Sequence, residues 1–93
     1  MSKEKINEKL EKLYGLEPCV SQPRLGKTYI IDDWNALMPL ALNNKIGFVA
    51  MNNVFLAGCD SIEIIEYYSG HETPSDAAKH AIALALIELA ESK

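Results

Sequence analysis

A chain of 93 residues, 48% hydrophobic and 24% charged, has the balance of an ordinary soluble globular protein with one core. Its net charge of −4 and pI near 5.0 argue against a general nucleic-acid binder, because neutralising phosphates takes a clustered Lys/Arg surface. No apolar run approaches the roughly 18 residues of a membrane span, and the opening MSKEKINEKLEK is a charged helical pattern rather than a signal peptide, so a cytoplasmic protein is expected.

In chain order, Ile6, Leu10, Leu13 and Tyr14 recur at helical spacing, Glu8 precedes Lys12 by four, and Gly15 stands where a glycine ends a helix. The first helix is therefore expected over Lys3 to Tyr14. Leu16 to Thr28 carries Pro18, Pro23 and Gly26 without an apolar period and reads as a long loop. Cys19 and Cys59 lack CxxC or Cys/His spacing and read as free thiols. Tyr29 to Ile31 predicts a short strand, and Asp32 or Asp33 caps a second helix ending at Asn43 or Asn44. Trp34, Leu37, Met38, Ala41 and Leu42 mark its inner face, and Pro39 within it predicts a kink or a late start.

From Lys45 the period becomes two. Ile46 to Met51 and Val54 to Cys59 flank Asn52-Asn53, a pair that tolerates the positive φ of a tight hairpin. Asp60-Ser61 is the next turn, and Ile62 to Tyr68, reading IEIIEYY, completes a three-stranded meander. Thr73 as N-cap, Pro74 at N1 and Asp76 at N3 start a closing helix whose inner face is Ala78, Ala81, Ile82, Ala85, Leu86 and Leu89. Its many alanines allow close approach to a sheet. The order of elements, which has no βαβ repeat, points to an antiparallel sheet, and the length predicts one domain over residues 1–93. Its fold class is α/β: an α/β/α sandwich, with an antiparallel β-meander covered by helices on both faces.

The succession KINEKLEKLYGLEPCV, a polar loop, KTYIIDDWNALMPLA, a meander and TPSDAAKHAIALALIELAE resembles the phage ABA sandwich domain family over nearly the whole chain. Ile30-Ile31 departs from the small Ser/Thr-type pair expected between Tyr29 and Asp32. The resemblance implies an α/β/α sandwich and a phage or prophage origin, hence action in a bacterial host cell. It brings no catalytic motif to carry over.

The chemistry-bearing residues point to binding rather than turnover. His71 lies beside Glu72 on a loop and His80 has Leu84 at i+4, so no HExxH spacing exists and both read as surface histidines, with no metal and no cofactor expected. Asp32 and Asp33 read as helix caps, and Glu63 and Glu66, three apart in a strand, face opposite sides as solvent-facing or edge residues. No nucleophile elbow or phosphate loop is present, and an enzyme is not expected. Two groups remain. Tyr67 and Tyr68 point to opposite faces of an edge strand that, with Ile65, could pair with another subunit, giving a homodimer. Arg24, Lys27, Tyr29 and Trp34 combine cations and aromatics suited to a nucleotide-derived ligand. The expected function is that of a non-enzymatic phage accessory protein that binds a protein partner or itself. The alternative is a counter-defence protein that sequesters a nucleotide-derived host immune signal.

Overall fold

A computed structural model of the chain describes residues 3–15, 21–22, 26–27 and 34–92. The first helix, α1, spans Lys3–Tyr14 as the apolar spacing requires, with Ile6 and Leu10 buried and Gly15 leaving it at φ 63°. Asn7, a buried polar residue of this helix, donates its amide N–H to Glu11 at 2.6 Å, one turn on. Within the stretch expected to be a loop, β1 (Ser21–Gln22) pairs antiparallel with β2 (Gly26–Lys27). The strand expected at Tyr29 to Ile31 and the caps expected at Asp32 or Asp33 lie outside the described residues.

The second helix, α2, runs Trp34–Asn43 and continues through Pro39, which is exposed. Its end is a Schellman turn: Ile46 N–H bonds Ala41 O at 2.8 Å, Lys45 N–H bonds Leu42 O at 3.2 Å, and Lys45 sits in the left-handed region at φ 57°. Buried Ile46 supplies the apolar contact that accompanies such a turn. Leu37 and Ala41, four apart, form the buried side of α2, and Leu42, expected beside them, is exposed because it lies about 100° further round the axis from Ala41.

Three strands follow, β3 (Gly47–Ala50), β4 (Val54–Cys59) and β5 (Ile62–Tyr67), in the order β3-β4-β5 with both pairings antiparallel. The hairpin at Asn52-Asn53 closes with Met51 N–H on Val54 O at 2.9 Å, and neither asparagine takes the positive φ expected there. At the other hairpin Gly58 is obligatory: a Cβ on it would lie 1.9 Å from the Ile62 carbonyl oxygen.

After a 3-10 turn at Tyr68–Gly70, the last helix, α3, spans Pro74–Glu91. Its start is built as the sequence requires, with Thr73 Oγ1 accepting from Asp76 N–H at 3.1 Å and Pro74 in the first turn. Its burial goes further than one face. Ala81 and Ala83 are both fully buried, as are Ala85 and, at 3% exposure, Ile87. Residues two apart stand about 200° apart around a helix, so opposite sides of α3 are both covered.

The expected α/β sandwich is therefore present, as a three-stranded antiparallel meander packed against helices, and α3 lies at its centre. One side of α3 packs on β4 and β5, while α1 and α2 pack on α3. The Tyr14 hydroxyl of α1 donates to Leu86 O of α3, and Trp34 of α2 reaches Ser75. The expected helical cover on both faces is found on one only: among the described residues no helix lies over the opposite face of the sheet, where Val49, Ile65 and Tyr67 are exposed, because α1 and α2 dock on α3 instead.

Candidate functional site

The meander's alternation sorts side chains onto two faces. Toward α3 point Phe55, Ala57 and Ile62, all buried, with Ile64 and Cys59 packed against the core. Phe48 of β3 stacks on Phe55 with ring centroids 5.9 Å apart. The outer face carries the alternate set. Register places Val49 beside Leu56 beside Ile65, and Val54 beside Tyr67, with Met51 closing the hairpin. Antiparallel sheets with one open face usually turn polar residues outward. Here Val49 is 57% exposed, Met51 52%, Ile65 46% and Tyr67 62%.

This face has relief as well as apolarity. Gly47 pairs directly with Gly58, next to Glu63, so one end of the face lacks side chains on two adjacent strands and forms a shallow open notch continuous with Val49 and Leu56. Tyr67 and Met51 protrude at the other end. Four residues of β4 separate the two ends, about 14 Å at strand rise. Among the described residues no strand pairs with the outer edge of β5, which borders the same surface. Of the residues expected at an interface, Ile65 and Tyr67 thus share the open face, whereas Tyr68 turns inward and packs against the core. The opposite orientation of Tyr67 and Tyr68 is as expected for consecutive residues leaving a strand.

The expected ligand group is placed only in part. Arg24 and Tyr29 lie outside the described residues, as does the side chain of Lys27. Trp34 is half-buried; its indole N–H donates to Ser75 Oγ at 3.3 Å, and Lys79 Nζ lies 5.6 Å above its ring. Its donor and one ring face are thereby occupied by α3.

On the α3 side of the sheet the structure joins three residues that the sequence reading kept apart. Glu66 is not a free edge carboxylate: its Oε1 lies 2.8 Å from His71 Nε2 and 2.7 Å from His80 Nδ1. Three elements build the cluster. β5 turns Glu66 inward, the 3-10 turn brings His71 back with its N–H on Tyr68 O, and the second turn of α3 presents His80. The imidazole centroids are 5.1 Å apart and tilted by 56°. Burial of Glu66 acts to raise its pKa, but the hydrogen bonds from His80 and His71, reinforced by their charge, outweigh it and hold the carboxyl below the usual range. The histidines' partner, Glu66, is donated from across the β5–α3 connection, and no local spacing signals it.

Comparison of the chain with protein-family models, with curated proteins and with solved structures gives no match. No helix among the described residues is long and apolar enough to cross a membrane.

Proposed function

We propose that this chain is a small binding module that acts without turnover, and that its working surface is the open face of the β3-β4-β5 sheet, occupied by a second copy of the chain. The observation that carries the reading is the apolar outer face with a protrusion at one end and a notch at the other. Turned about a two-fold axis through Leu56, one copy sets its Tyr67 over the Gly47–Gly58 notch of the other and receives the other's Tyr67 in return. Among the surfaces of the chain this one limits the repulsion between copies. At a net charge of −4 two copies repel, and the outer face presents few charges, Glu63 lying at its end. The face spans three strands and about six residues, well below the roughly 800 Å² per partner of a standard interface, so the dimer is expected to be weak and concentration-dependent. The resemblance to phage ABA sandwich domains supports an accessory role for this module in a phage or prophage, exercised in the host cytoplasm.

Sedimentation of the full chain over a concentration series tests the surface. The parent is expected to pass from monomer to dimer. Ile65→Lys, at an exposed position, and Gly47→Leu, where an added Cβ meets only Gly58 O at 3.7 Å, should remain folded and monomeric. A parent that stays monomeric throughout, or variants that dimerise as the parent does, would overturn the proposal.

A further inference from the structure

We propose that Glu66, His71 and His80 form a binding site for a late first-row divalent cation, with Zn²⁺ as its representative. The donors are His71 Nε2, His80 Nδ1 and a carboxylate oxygen of Glu66, all within 4.8 Å of one another. In a tetrahedral zinc site with bonds of about 2.0–2.1 Å, neighbouring ligand atoms stand about 3.3 Å apart. The two Glu66 contacts, at 2.7 and 2.8 Å, need to open by roughly half an ångström to admit the ion. Rotation of the Glu66 side chain opens these two contacts, and the two imidazole nitrogens, at most 4.8 Å apart, settle toward the same spacing. The two ring nitrogens already converge on one point, Glu66 Oε1, and the rings are tilted rather than stacked.

The donor set selects the class of ion. Two imidazoles with one carboxylate suit zinc and its neighbours, whereas Ca²⁺ and Mg²⁺ take oxygen ligands and Cu(I) takes thiolates or thioethers. Side-chain exposures of 19% for His71, 20% for Glu66 and 25% for His80 leave an entry path while screening the ion from bulk water. Three protein ligands leave a further position for water or an incoming donor. Because the ligands come from β5, the segment after it and α3, the cation would fasten the strand end to the helix start. Glu66 alternates with Ile65 and Tyr67 along β5, which puts this site on the face opposite the proposed docking surface. The two proposals therefore stand or fall separately.

The test uses the full chain, stripped with chelator, freed of any histidine tag, and carrying Cys19→Ser and Cys59→Ser so that thiols do not compete. Calorimetric titration with ZnCl₂ is expected to show one ion per chain. Zn²⁺ at about 100 times its Kd should raise Tm by about 10 °C or more. His71→Ala, which lies outside helix and strand, and Glu66→Gln, which keeps the side-chain shape, should each weaken binding by about tenfold or more. Co²⁺ should give a visible d–d spectrum in the parent that is lost in both variants. Absence of one-to-one binding by the parent would overturn the proposal. So would equal binding by the parent and by variants whose circular dichroism shows them folded.

Discussion

Substitution of Ala83 by leucine separates a helix buried on one face from one buried all round. Ala83 falls outside the inner face that spacing alone assigns to α3, yet it is fully buried. At a solvent-facing helix position alanine and leucine differ by only tenths of a kcal/mol in propensity, so a one-faced helix would leave stability unchanged. In a packed interior the added atoms have no room, and overpacking costs typically 1–3 kcal/mol. Total stability for 93 residues is about 5–14 kcal/mol, and each kcal/mol moves Tm by about 4–8 °C in a domain of this size. The expected fall in Tm is thus about 4–24 °C, read by circular dichroism melting and checked by urea denaturation at constant m. Glu88→Ala, at an exposed position of the same helix, should stay within about 0.5 kcal/mol of the parent. An Ala83→Leu variant melting within about 2 °C of the parent would refute the central placement of α3.

Gly58→Ala drives a methyl group to 1.9 Å from a backbone oxygen and must displace the β4–β5 hairpin, so it should lower Tm and shift the amide resonances of both strands; Gly70→Ala meets nothing within 4 Å and should be close to neutral. Tyr14→Phe removes the hydrogen bond to Leu86 O and should cost about 1 kcal/mol in chemical denaturation near neutral pH. Burial, and secondarily the nearby Cys59, raises the Tyr14 pKa above its ordinary 10.0. The folded state therefore favours the neutral phenol: its contribution is complete below pH 10.0 and is lost as pH rises through the raised value. Alkaline titration of stability should accordingly show a steeper loss above that pH in the parent than in Tyr14→Phe, and identical alkaline limbs would contradict the assignment.

Local chemistry and periodicity determine much of this protein by themselves. The limits of α1 follow from an apolar stripe and Gly15, the start of α3 follows from Thr73, Pro74 and Asp76, and the meander follows from alternation between turn signals. Each of these depends on interactions within a few residues, which a linear reading can see. Tertiary structure decides what lies between elements distant in sequence. Periodicity shows that α3 buries a face, but small residues such as Ala77 and Ala83 carry too little hydrophobic contrast to reveal that the other side is covered too, and only the docking of α1 and α2 decides it. For the sheet, alternation marks two faces without saying which one a helix will cover. The meeting of Glu66, His71 and His80 is likewise invisible along the chain, because a strand, a 3-10 turn and a helix must all be in place before three side chains 14 residues apart end to end can converge on one oxygen atom.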